Sequence, residues 1–390
     1  MSKKFRKLNG DNLQHNKAVI KVVGVGGGGG NAVSRMHGDF LRGVEFIAIN
    51  TDTQDLELCE ADVKLHIGKN LTKGLGTGMN PDLGRQAAEE TRAEIVEALK
   101  GADLVFITAG LGGGTSTGAG PVVAEAAKEL GALTIAVVTK PFTFEGSQRA
   151  RIAQDGYIKL KDKVDTLIVV PNDRIFAIID QDTSLIKAFE AVDTILRSAV
   201  QGIAELIAMP GVVNVDFADV KTIMQNAGSA LIGIGMASGK ERAVSAVTQA
   251  VNSPLLEISI DGAKGVLFGI SGAKDLRMSE INDIAKIISE AVDPSAKIIF
   301  GAYHDKAMKA NSVKVTLIAT GFNGASVGKP SSSLSNLFTA NDSKFEPPIL
   351  KEKTGEKESD AQKNTKSKPV LQKKPTDLWD IPAFLRRKRK

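Results

Sequence analysis

Residues 110–121 read GLGGGTSTGAGP, six glycines in twelve positions, between an apolar run at 104–107 and a helical pattern at 122–130. Glycine loses more conformational freedom on ordering than any other residue, so such a run at a strand-to-helix junction needs a reason. A second junction of this kind, VGVGGGGGNAVSRM at residues 23–36, follows the first apolar run. Its Gly24, Gly26 and Gly29 fit the dinucleotide fingerprint G-x-G-x-x-G, and Asp52 near the end of the second strand suits the acidic partner of that motif. Both junctions suit anions. Bare glycine backbone turns several N–H groups toward one point, and each segment opens a helix whose free N–H groups and dipole attract negative charge. Thr115, Ser116 and Thr117 add hydroxyls, and Pro121 suits the first turn of the helix that follows. Alternatively, glycine only permits close packing in a pair of tight turns. No G-x-x-x-x-G-K-[ST] occurs, which excludes the P-loop NTPases.

Around these junctions the pattern is α/β. Strand candidates at 19–23, 45–49, 63–67, 103–108, 133–138 and 166–170 alternate with helix-length segments such as 83–99 and 147–161. Such alternation implies a Rossmann-like domain with a mostly parallel sheet, spanning residues 18–182. Residues 183–209 read as one long central helix, with Leu185, Phe189, Val192, Leu196, Ala199, Ile203 and Leu206 stepping by four and three. Strand candidates at 231–234, 266–270, 297–300 and 313–319 place a second α/β domain over residues 210–322. Composition predicts a disordered N-terminal extension at 1–17, a disordered linker at 323–376, and an apolar recognition peptide with a basic end at 377–390.

Charge and cysteine content narrow the function classes. The formal net charge of +5 is unevenly placed: residues 329–390 hold 15 Lys/Arg against 8 Asp/Glu, the rest 35 against 37. The basicity belongs to the tail, so a folded nucleic-acid-binding face is not expected. No apolar run approaches the roughly 18 residues of a membrane span. The basic N-terminus lacks the apolar stretch of a signal peptide, and Cys59 is the only cysteine, so an intramolecular disulfide is excluded. A cytoplasmic protein is expected.

Several stretches resemble the tubulin/FtsZ family. GGGTSTG at 112–118 is similar to the tubulin signature GGGTGTG. GGGGN at 27–31, NTD at 50–52, VTKPFTFEGSQR at 138–149 and NVDFADV at 214–220 are similar to FtsZ, the bacterial tubulin homologue, and DIPAFL at 380–385 resembles its C-terminal peptide. The resemblance implies a polymerising GTPase that forms head-to-tail filaments and the cytokinetic Z ring at mid-cell, with GTP/GDP as ligand and Mg²⁺ held mainly through the phosphates. It implies that Gly27, Gly28, Gly29, Gly30 and Asn31 line the nucleotide, with Gly114, Thr115 and Ser116 around its phosphates. Gly76, Thr77 and Gly78 would lie near the terminal phosphate, and Glu145 and Arg149 on the sugar and phosphate side. Asn172, Phe189 and Asp193 would hold the guanine. Ser116 replaces the usual glycine, a change that strains the loop if φ is positive there and is harmless if it is negative.

NVDFADV places Asp216 and Asp219 three apart, on one face of a helical turn. On the residues alone Asp216 suits a helix cap. The resemblance implies instead that Asn214, Asp216 and Asp219 are catalytic and act in trans on the next subunit's nucleotide. It further implies that residues 377–390 bind division proteins such as the actin-like tether FtsA, and Arg386 to Lys390 would add weak attraction to anionic lipid. A nicotinamide-binding oxidoreductase would leave the second junction and NVDFADV unexplained; a non-hydrolysing structural relative would leave NVDFADV idle.

Overall fold

The computed structural model describes residues 18–322, except 39–42, 181, 210, 255, 257–258 and 306–307. The expectations for residues 1–17, 323–376 and 377–390 lie outside the described residues. The strands are β1 (Ile20–Val25), β2 (Val44–Asn50), β3 (Val63–His66), β4 (Leu104–Gly110), β5 (Leu133–Lys140), β6 (Thr166–Pro171), β7 (Gly228–Ser238), β8 (Gly265–Gly272), β9 (Lys297–His304) and β10 (Ser312–Thr320). They form one sheet in the order β3-β2-β1-β4-β5-β6-β7-β10-β8-β9. Pairing is parallel from β3 to β7, antiparallel where β10 meets β7 and β8, and parallel again between β8 and β9.

The helices are α1 (Gly26–His37), α2 (Thr53–Leu58), α3 (Lys69–Thr72), α4 (Pro81–Glu90), α5 (Arg92–Leu99), α6 (Gly114–Glu129), α7 (Ser147–Lys161), α8 (Leu185–Ala208), α9 (Phe217–Met224), α10 (Arg242–Val251) and α11 (Met278–Glu290). They cover both faces, which is why the parallel strands read as continuous apolar runs. Val23 and Val25 of β1 and Val105 and Ile107 of β4 pack with α4, α5, α6 and α7. The alternate residues Ile20, Val22, Leu104 and Phe106 pack with α1, α8 and α9 on the opposite face. That second core continues to Ile232, Leu267 and Ile318, so α8 braces the sheet along much of its width. A third core joins α10 and α11 to the other side of β8 and β10.

Three local expectations change. The helix expected at 83–99 is two, α4 and α5, meeting at Thr91, whose backbone is not helical at φ −108°, ψ 18°. The stripe of α8 is not core throughout: Leu185 and Ile186 are exposed and Phe189 is 40% exposed. Pro121 sits inside α6 rather than in its first turn, because the helix already begins at Gly114. Close packing explains this early start. A Cβ on Gly118 would lie 2.0 Å from the Pro81 carbonyl oxygen, and one on Gly114 would lie 2.3 Å from the Thr77 hydroxyl. The glycines let α4 and the 76–80 turn lie directly on a helix, and no loop remains for the proline to follow.

Candidate nucleotide site

Strands β1 and β4 are parallel neighbours, and from their C-terminal ends the chain departs to opposite faces, into α1 and α6. Open α/β sheets bind ligands at such a switch point. The two helix starts touch there. Gly26 has φ +71°, a left-handed backbone that favours glycine, and a Cβ on it would lie 3.0 Å from the Ser116 amide nitrogen. The first-turn N–H groups of both helices, without partners inside the helix, therefore converge from two sides.

A cleft of about 350 Å³ lies over this point and brings together twelve of the sixteen expected nucleotide residues. Gly27, Gly28 and Asn31 come from α1, and Gly114, Thr115 and Ser116 from the start of α6. Thr77, Glu145, Arg149, Asn172, Phe189 and Asp193 complete the set. The other four are next to the cleft without lining it. Gly29 is a packing glycine, since a Cβ there would lie 2.4 Å from the Thr108 carbonyl oxygen. Gly30 borders a small void beside Cys59. Gly76 and Gly78 take positive φ on either side of Thr77 and so shape its turn.

At the glycine end the polar groups are interlocked. The Thr115 hydroxyl is 2.7 Å from that of Thr51 and 3.2 Å from that of Thr77. Ser116 lies in the first turn of α6 and is not among the positive-φ residues, so serine there is unstrained. Its hydroxyl donates to the Gly110 carbonyl. Arg149 reaches Glu145 at 2.9 Å, and Glu145 accepts the Phe142 N–H at 2.8 Å, closing the short turn before α7.

The other end offers acceptors and an aromatic plane. Asn172 is buried, and its side-chain carbonyl oxygen has no hydrogen-bond partner among the described residues. Phe189 meets Phe142 edge-on at 5.5 Å. Asp193 accepts from Arg35 Nε at 2.8 Å. Burial pushes the Asp193 carboxyl up to about 6, against the downward pull of Arg35. An orphaned buried acceptor and a carboxylate beside an aromatic ring suit the N1–H and N2–H₂ donors of guanine, where adenine offers only a bare N1 and a C–H. Arg35 went unnoticed in the sequence; its spacing of four from Asn31 puts it on the same face of α1. Also unanticipated are the cleft residues Thr139 and Pro141 at the end of β5.

Asn214, Asp216 and Asp219 do not line this cleft. Asp216 caps α9: its carboxylate accepts the Asp219 N–H at 2.7 Å, while Asp219 accepts the Asp216 N–H at 3.4 Å. The Asn214 side-chain carbonyl accepts the Gly211 N–H at 2.6 Å. Asn214 and Asp216 are exposed.

Residues 19–180 match the family model for the tubulin/FtsZ GTPase domain, and residues 228–323 that for the FtsZ C-terminal domain. Among solved structures the chain is similar to an empty FtsZ dimer from M. jannaschii, with 48% identity and a TM-score of 0.76 over 80% of this chain and 90% of that one. It shares its fold with CetZ2 of Haloferax volcanii, described as a GTPγS-bound protofilament, at 22% identity and TM-score 0.67 over 77% and 92% of the two chains. CetZ1 of the same organism, a GDP-bound monomer, gives 22% and 0.68 over 79% and 96%.

Proposed function

The chain belongs to the tubulin/FtsZ family and is a GTPase, and from that premise we propose that it assembles head to tail, each subunit completing its neighbour's GTP site. The observation that carries this reading is the division of carboxylates. Those lining the cleft, Glu145 and Asp193, are each paired with an arginine, Arg149 and Arg35. Asp216 and Asp219 stand outside it, beside an exposed loop. Hydrolysis needs an oriented water and neutralised phosphate charge. Carboxylates from the next subunit, with Asn214, would orient that water. The M. jannaschii relative is described as a dimer, which accords with self-assembly.

Within a subunit, Gly27, Gly28, Asn31, Gly114, Thr115 and Ser116 hold the phosphates, with Gly29 and Gly30 shaping the α1 start. Gly76, Thr77 and Gly78 face the terminal phosphate. Glu145 and Arg149 flank the sugar, and Asn172, Phe189 and Asp193 hold the guanine. The nearby carboxylates are engaged, Asp52 capping α2 and Asp55 accepting from Asn50 Nδ2. A Mg²⁺ ion would therefore be held mainly through the phosphates, where it supplies charge neutralisation. Residues 18–182 act as the nucleotide domain, 183–209 as the connecting helix and 210–322 as the part that presents the acidic loop. The filaments serve a cell-division ring at mid-cell in the cytoplasm, with residues 377–390 binding tethers such as FtsA.

GTP hydrolysis per protomer, followed as protein concentration rises, tests the reading. A threshold is expected in the parent, and a rate lower by at least about a hundredfold in the Asp216→Ala/Asp219→Ala double variant. Parental hydrolysis by that variant would reduce both carboxylates to helix caps.

A further inference from the structure

Glu205, in the last turn of α8, is 5% exposed, yet its carboxylate is satisfied three times over. It accepts from Gln201 Nε2 at 2.6 Å, from the Tyr303 hydroxyl at 2.8 Å and from Lys314 Nζ at 3.3 Å. Tyr303 belongs to β9 and Lys314 to β10, so one carboxylate ties the end of α8 to two strands. Burial, and then the charge of Glu205, hold the Tyr303 phenol above its ordinary range, so it remains a donor.

The residue before Tyr303 holds the acidic loop. Val212 and Val213 donate their N–H groups to the Ala302 carbonyl at 2.8 and 3.1 Å, and the Ala302 N–H donates to Val213 at 3.0 Å. Contact is close: a Cβ on Gly211 would lie 2.5 Å from the Ala302 oxygen, and one on Gly301 would lie 3.0 Å from Val215 Cγ2. β9 is the sheet's edge strand, and the loop occupies part of its open hydrogen-bonding edge. Apolar contacts between α8 and the strands tolerate sliding. Directed bonds to one carboxylate do not, because a shift of one helical turn, about 5.4 Å, breaks all of those that reach β9 and β10. Fixing register is the best-attested use of a buried ionic group, since apolar residues of equal volume often stabilise as well.

We infer that Glu205, Tyr303 and Lys314 are positioning residues for GTP hydrolysis: they set the register of segment 211–215 on β9, and so where Asn214, Asp216 and Asp219 are presented to the neighbouring subunit. This rests on the proposal that the acidic loop acts on that subunit's GTP.

The test compares Tyr303→Phe and Lys314→Met with the parent in the full chain, using Lys314→Arg as the conservative variant. Amide hydrogen exchange at Val212, Val213 and Ala302 should quicken by about tenfold in the first two. Hydrolysis per protomer under assembling conditions should fall by about threefold or more, with GTP affinity of the unassembled chain unchanged. Lys314→Arg should restore both. Parental exchange at those amides in both variants overturns the inference, as does faster exchange with parental hydrolysis. A loss of GTP affinity matching the loss of hydrolysis would mark general destabilisation and overturns it too. An Asp219→Ala control keeps the failures apart. Parental hydrolysis by that control removes the catalytic role of the loop, while the exchange data still decide whether the cluster seats it.

Discussion

Three threonine hydroxyls meet at Thr115, from the β2–α2 turn, the 76–80 turn and α6. Thr115→Ala removes the shared partner beside the phosphate end of the cleft, at a cost of about 1–2 kcal/mol. Calorimetry should therefore find GTP binding weaker by roughly tenfold; unchanged affinity and turnover would make Thr115 a turn residue. Asp193 gives a pH signature. If it holds guanine as proposed, its carboxyl, raised to about 6, must be ionised to accept from the base's N–H groups, so affinity should be lost as pH falls through that value. Between pH 7 and 5 GDP affinity should drop about tenfold in the parent, while Asp193→Asn should bind weakly with a flatter profile. Equal slopes in both proteins would remove Asp193 from base recognition. At this scale much of the cleft was readable in the sequence, because glycine, threonine and serine after an apolar run carry their own physics. Arg35 was not, since an arginine on an amphipathic helix is ordinarily a solvated charge. Nor could the sequence tell glycines whose backbone lines the cleft, such as Gly27, from packing glycines such as Gly29; only the nearby Thr108 carbonyl separates them.

Among elements, the strands were easier to place than the helix starts. A parallel strand covered on both faces announces itself as an apolar run, whereas the first turns of α6 are disguised by glycines that suggest a loop. The anion-binding and close-packing explanations of that segment turn out to be compatible. Gly114 lines the cleft, while Gly118 serves the contact with α4. Gly118→Ala should therefore destabilise the chain by about 3 kcal/mol through backbone overlap at Pro81 and Arg85. Thermal unfolding measures this, and a parental melting temperature would refute it. In the second half, buried Arg242 at the start of α10 grips Glu280 at 2.7 Å and Asp275 at 2.6 Å. These bonds hold both carboxyls below their usual range. Depressed carboxylates contribute stability that is present above their unfolded values and lost as pH falls through the folded ones, so the loss begins near pH 4. Glu280→Gln should lower the melting temperature at pH 7 and flatten the acid limb of a stability–pH curve.

Across the whole molecule, the proposed division of the site between subunits would be a property no single chain displays by itself. Asp216 and Asp219 satisfy each other as a helix cap and Asn214 closes a turn on the Gly211 N–H, so within one subunit the humbler account of NVDFADV describes these contacts. Mixing tests the larger account. Gly114→Arg should not bind GTP, because its side chain would meet the 76–80 turn and the phosphate end. Asp219→Ala should bind but hydrolyse poorly. Combined, each supplies what the other lacks, and partial recovery of hydrolysis is expected; Gly114→Arg turning over GTP alone would contradict the assignment of that loop. Finally, β10, the last strand described, lies between β7 and β8 and joins them. The cleft, by contrast, is built from residues no later than Leu196. At roughly 5–20 residues per second, a ribosome takes about 6–25 s to travel from that point to Thr320. A nascent chain therefore holds every residue of its nucleotide cleft before it holds the strand that joins the acidic loop's seat to the rest of the sheet. On the proposed head-to-tail assembly, a translation product cut short in that interval would receive its neighbour's carboxylates without dependably donating its own, and in a growing polymer it would cap one end.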